Sequence, residues 1–225
     1  MNTVEEDRRS LSLLLSLLLF FVLSPFLEGH PIGDLILIFS LYILLVASIV
    51  ELSARRVLVR FCVPLVTVSM VIILINHLHP SPYLTIVNYL LLTVFFGTVS
   101  IGLFLYLGRT GSITSGRIYG SVSLYLILGI FWFAIYNLIS VLYPHSFLEV
   151  GLGTSSITHI PRATFLYFSL VALTTLGYGD IVPISPVERM FAALESTTGV
   201  LYIAITVARL VAAYQRTDDK PTLLP

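Results

Sequence analysis

The sequence predicts an all-α integral membrane protein: six transmembrane helices, plus a re-entrant helix of half length followed by a non-helical loop. Three observations carry this. Of 225 residues, 57% are hydrophobic and 11% charged, with a mean hydropathy of +0.98, whereas soluble domains carry about 25% charged residues. Six apolar segments reach the roughly 17 to 25 residues that a bilayer crossing needs. A further apolar stretch is too short to cross, and it ends in Thr174-Thr175-Leu176-Gly177-Tyr178-Gly179-Asp180, whose residue types make poor sense as ordinary membrane packing. A formal net charge of zero offers no basic arm for nucleic acid. The single cysteine, Cys62, excludes an intramolecular disulfide or a Cys-rich metal site and reads as a packing residue.

The spans run, in order, over residues 11–27, 32–52, 57–75, 84–107, 118–143 and 187–214. Arg8 and Arg9 before the first run also suit a signal peptide, but the run is long for one and Ser24-Pro25-Phe26-Leu27-Glu28 offers no small-residue cleavage site, so a membrane helix is expected. Basic residues set orientation. Arg8, Arg9, Arg55, Arg56, Arg60, Arg109, Arg117, Arg209, Arg216 and Lys220 fall on one side of six alternating spans, and only Arg162 and Arg189 on the other. Both termini are therefore expected in the cytoplasm of a cell (plasma or inner) membrane protein, with His77, His79, His145 and His159 in external loops. The expected organisation is a cytoplasmic N-terminus (1–10), a four-helix peripheral unit (11–107), a linker (108–117), a second unit (118–214) and a tail (215–225). That short polar tail is expected to leave no room for a nucleotide-binding or calcium-sensing domain, so any gate is expected within the membrane part, either at the loop of residues 174–180 or near Val207 to Val211.

Residues 144–160 read as an exposed loop rich in glycine, serine and threonine. From Pro161 the chain becomes apolar and aromatic up to Thr174, too short to cross at 1.5 Å per residue. A re-entrant helix fits, with proline near its opening turn and its C-terminal partial negative charge aimed at the loop that follows. In that loop Gly177 and Gly179 flank Tyr178, and glycine enters left-handed backbone cheaply, so successive carbonyls can face one way. Such backbone survives at membrane depth only when buried in protein or lining a water-filled path. Thr175 adds a hydroxyl oxygen, while Leu176 and Tyr178 side chains can pack outward. The result is a ladder of oxygen ligands.

The run resembles the selectivity filter of the potassium-channel family, whose carbonyl rings replace the hydration shell of the ion. Leu176 stands where that pattern has valine, a conservative change at a position facing away from the ion. The resemblance covers roughly residues 118–214; the first four spans match in number and topology only. It implies a six-transmembrane, one-pore-loop, bacterial-type channel: a homotetramer in membrane lipid that conducts K+ passively, without a cofactor and without enzymatic chemistry. The permeant K+ would bind at Thr175, Leu176, Gly177 and Tyr178, with Gly179 closing the filter, supported by Thr174, Asp180, Tyr167 and Glu195. Val200 and Ile203 would line the cavity below. Gly199 corresponds in spacing to a glycine hinge of bacterial members, or else marks a close helix contact.

Departures from the family bear on gating. Voltage-gated relatives carry arginines at every third position of the fourth span, where the field acts on them; residues 84–107 contain none. Places that in several relatives hold a carboxylate or a tryptophan bracing the filter aspartate hold Val171 and Phe168 here, leaving Tyr167 or Tyr178 as the candidate brace for Asp180. Ser185, Pro186 and Glu188 read as a capping box at the start of the last span, with ion attraction as the other role for Glu188. Glu195, two turns farther on, reads as a hydrogen-bonding brace, a titratable gating element or an ion contact. A weakly selective monovalent cation channel of the same architecture is the near alternative. A polytopic transporter or intramembrane enzyme is the distant one, since H-E-x-x-H, G-x-S-x-G and an evident inverted repeat are missing.

Overall fold

In the computed structural model the described residues are 3–27, 31–51, 56–108, 114–144, 146–150 and 162–218. The expectations for Arg55, Arg109, His145, His159, Pro161 and Lys220 lie outside them, as do those for the side chains of Arg56, Arg162 and Arg216. Among the described residues, seven helices and two short strands follow in the order α1 (Thr3–Leu27), α2 (Pro31–Glu51), α3 (Arg56–Leu78), α4 (Pro82–Leu107), α5 (Ser115–Leu142), β1 (Phe147–Glu149), α6 (Arg162–Leu173), β2 (Ile181–Pro183) and α7 (Pro186–Asp218). Among the described residues α1, α3, α4, α5 and α7 are long and apolar enough to cross a membrane. Helix α2, 21 residues long, carries its apolar part over Ile36–Glu51. Helix α6 has 12 residues, about 18 Å at the standard rise, roughly half of a bilayer core.

Local chemistry explains the ends. Ser81 in extended conformation with proline next to it opens α4, and Gly108 closes it by donating its N–H to Phe104 O. Thr114 caps α5 by accepting from the Arg117 N–H. The Asp7 carboxylate, from α1, accepts the Gly116 N–H at 2.6 Å, placing an anion at the positive end of α5.

Helix α5 sits at the centre, packing against α1, α4, α6 and α7, while α2 reaches the rest through α1 and α3. One apolar core runs from Leu13 and Leu17 through Leu44, Leu45 and Cys62 to Phe95, Phe96, Ile127 and Ile130, and includes Leu166 of α6. A second, aromatic core joins Trp132 and Tyr136 of α5, Phe147 of β1, Phe165 and Phe168 of α6, and Ile181 of β2. Its rings meet edge to face, Phe147 with Phe165 at 5.0 Å and Tyr136 with Phe168 at 5.0 Å.

The segment expected as an exposed loop is in part a strand. Phe147, Leu148 and Glu149 pair antiparallel with Pro183, Val182 and Ile181, and Phe147 is buried. Three alternating residues carry too little pattern to stand out among glycine and serine neighbours, but a phenylalanine beside an aromatic helix has core to fill.

Candidate functional site

The run from Thr174 to Asp180 leaves the C-terminal end of α6 and leads into β2. Its backbone alternates in handedness: φ is positive at Thr175 (59°), Gly177 (58°) and Gly179 (76°). Positive φ at every second residue turns successive carbonyls toward one side, whereas uniform strand backbone would alternate them. Glycine accepts this without penalty. Thr175, a β-branched residue, does so against its preference, a strain of the kind functional backbone stores.

Hydrogen bonding separates the two sides of the run. The Leu176 N–H donates to Val171 O at 2.9 Å, with a longer contact from the Gly177 N–H at 3.4 Å, both back into α6. Among the described residues no backbone N–H bonds the carbonyls of residues 175–179. The side chains leave one flank open: Leu176 is 56% and Tyr178 67% exposed, and a Cβ built on Gly177 or Gly179 would meet nothing within 4 Å. One chain thus forms one wall of a site. Among the described residues no cluster of three or more His, Cys, Asp and Glu could hold a metal ion; the run itself offers backbone carbonyls and the Thr175 hydroxyl.

Support comes from α6. Tyr167 stacks on Tyr178, rings 6.4 Å apart and 8° from parallel, and its hydroxyl donates to Asp180 Oδ2 at 2.7 Å. One tyrosine of α6 therefore holds both sides of Gly179. Asp180 also accepts from the Ile181 N–H at Oδ1, 3.0 Å, and its carbonyl accepts from Val150 N at 2.6 Å, which fastens the run to the small sheet. The bond to Asp180, foremost, pushes the Tyr167 hydroxyl from 10.0 up to about 12, so it stays protonated and donating through the neutral range. Thr174 turns its hydroxyl back to Leu170 O at 2.7 Å and so serves the helix end. Val171 and Phe168 are buried, the latter within the aromatic core.

The last carbonyls of α6 are anchored by other helices. Ser196 Oγ donates to Ala172 O at 2.8 Å, and the Tyr125 hydroxyl to Leu173 O at 3.2 Å. Gly199 of α7 is buried, and a Cβ there would fall inside contact distance of Leu173 O. Close approach is therefore one reason for glycine at this position. Val200 and Ile203, by contrast, lie on an exposed face of α7.

Behind α6, Glu195 is fully buried. Its Oε2 accepts from the Tyr136 hydroxyl at 2.5 Å, and its Oε1 lies 2.6 Å from Ser169 Oγ. This ties α5, α6 and α7 together at one point. Sequence reasoning singled out Glu195 but not Tyr136 or Ser169, whose part depends on contacts 59 and 26 residues away; the signal available was that a carboxylate in an apolar helix requires polar partners. Glu188 lies in the first turn of α7, 1% exposed, which leaves it no face toward ions within this chain.

The family described as "Ion channel" matches residues 114–216. The potassium voltage-gated channel protein shk-1 of Caenorhabditis elegans is 39% identical over 69 residues, 31% of this chain and 12% of that protein. The A-type voltage-gated potassium channel KCND3 of Homo sapiens and that of Rattus norvegicus are each 38% identical over 68 residues, 30% of this chain and 10% of theirs. The chain thus spans only 12% and 10% of the length of these relatives. No solved structure matches the chain.

Proposed function

Residues 114–216 belong to the ion channel family, and from that premise we propose that the chain is one subunit of a potassium-selective channel, with Thr175 to Gly179 as its filter strand. The observation that carries the reading is the alternation of positive φ at Thr175, Gly177 and Gly179 on a strand whose carbonyls accept from no backbone N–H among the described residues. Carbonyl oxygens presented in series offset the dehydration of a monovalent cation, and repulsion between neighbouring ions moves them on. No covalent step is involved.

One strand cannot surround an ion. Four copies around an axis would close the ring, and two features favour such an assembly: the open flank of the filter strand, and the apolar face of α7, of which Val200, Leu201 and Ile203 are all at least half exposed. In this reading Val200 and Ile203 line the cavity or the joint between copies, and the C-terminal end of α6 favours a cation at the inner mouth. Basic residues argue for both termini in the cytoplasm and the filter in the outer half of a cell membrane.

The test is ion flux from liposomes holding the purified protein. Potassium efflux well above sodium efflux, lost in Gly179→Ala, is the expected result. Absence of flux from protein shown to be folded and inserted removes the reading, and equal sodium and potassium flux reduces it to a weakly selective cation channel.

A further inference from the structure

The bonds around Glu195 contain more acceptors than an ionised carboxylate allows. Ser169 Oγ lies 2.7 Å from Gly129 O and 2.6 Å from Glu195 Oε1. Both are full hydrogen-bond distances, yet a serine hydroxyl has one proton and a carbonyl has none to give. If that proton goes to Gly129 O, the second contact needs a proton on Glu195. The Tyr136 hydroxyl supplies the only other one, and it points at Glu195 Oε2. With Glu195 ionised, one pair of oxygens would face each other at 2.6 or 2.7 Å with no proton between them. With Glu195 protonated, all three contacts close in a chain: Tyr136 to Glu195 Oε2, Glu195 Oε1 to Ser169, Ser169 to Gly129.

We propose that Glu195 is a neutral carboxylic acid that donates to Ser169 and thereby fixes the position of α6, and with it the filter. The proposal rests on the filter reading above and assigns the protonation state that the support requires. Glu195 is 0% exposed, so the missing donor has to come from within this set of groups. The groups facing it are Tyr136 and, farther off, Tyr125 from α5, and the uncharged Ser169 from α6. No cation among the described residues faces it. Gly129 is suited to its place, because a Cβ there would press on the Leu170 side chain at 3.1 Å. Glu195 is thus a positioning residue, acting on the ion only through α6.

Two readouts test this. Infrared spectra of the wild-type protein in liposomes at neutral pH should show a protonated carboxyl band that is missing in Glu195→Gln and retained in Asp180→Asn. Potassium flux should fall as alkaline pH removes the proton, whereas Glu195→Gln, an uncharged donor of the same shape, should stay within about tenfold of wild type, the scale of one neutral hydrogen bond, and lose that alkaline fall. Absence of the band in wild type overturns the proposal, as does a Glu195→Gln flux as pH-dependent as wild type. The spectrum does not depend on conduction, so a channel that fails to select potassium would leave the protonation result intact.

Discussion

Single residues decide whether the strand proposed as the filter can exist at all. Gly177 and Gly179 hold φ of +58° and +76° with open space around them, so a side chain there costs backbone strain with no clash inside the chain. Gly177→Ala should cost about 1 to 2 kcal/mol of backbone strain, and is expected to abolish selective flux while leaving insertion and helicity by circular dichroism unchanged. Gly199 is the opposite case, with a left-handed angle nowhere in question and no room beside Leu173 O. Gly199→Ala should cost about 1 to 3 kcal/mol by overpacking, seen as a lower midpoint of thermal unfolding; an unchanged midpoint would leave the hinge as the better account. Tyr167→Phe removes the donor to Asp180. On a residue 38% exposed, solvent screening reduces that bond to about 1 kcal/mol, and the expected outcome is faster decay of current during sustained conduction. The raised Tyr167 hydroxyl favours its protonated form in the folded protein, so its contribution is complete below pH 10 and is lost as pH rises toward 12.

At the scale of elements, the half-length α6 is the piece that everything else positions. Its outer end is held by the aromatic core, its inner carbonyls by Ser196 and Tyr125, and its back by Glu195. Phe147 of β1 touches Tyr136, Phe165 and Phe168 at once, so Phe147→Ala should cost about 3 to 5 kcal/mol, measurable as loss of thermal stability in detergent. These elements differ in how openly the sequence announces them. The long helices are plain from apolar length alone, and α6 from being apolar yet short. Tyr167 could be named as a brace because Val171 and Phe168 have nothing to offer Asp180. Strand β1 was not legible, since its reason for existing is an aromatic core assembled from α5 and α6. Glu195 stood out because it is a carboxylate in an apolar helix, but Tyr136 and Ser169 look like ordinary helix residues until the helices pack.

Across the whole molecule, the first four helices are joined to α6 and α7 through α5 and share one core with Leu166 of α6. Their α4 lacks the arginines on which a membrane voltage acts. It meets α7 instead through Arg209, whose guanidinium lies 5.1 Å from the centre of the Phe104 ring, a contact worth about 0.5 to 1 kcal/mol at an exposed site. The central claim concerns the filter, and the most direct measurement is the reversal potential of the reconstituted protein in a planar bilayer with potassium on one side and sodium on the other. A large displacement toward the potassium equilibrium potential is the predicted result. A reversal potential at zero, with current carried equally by both ions, would contradict it.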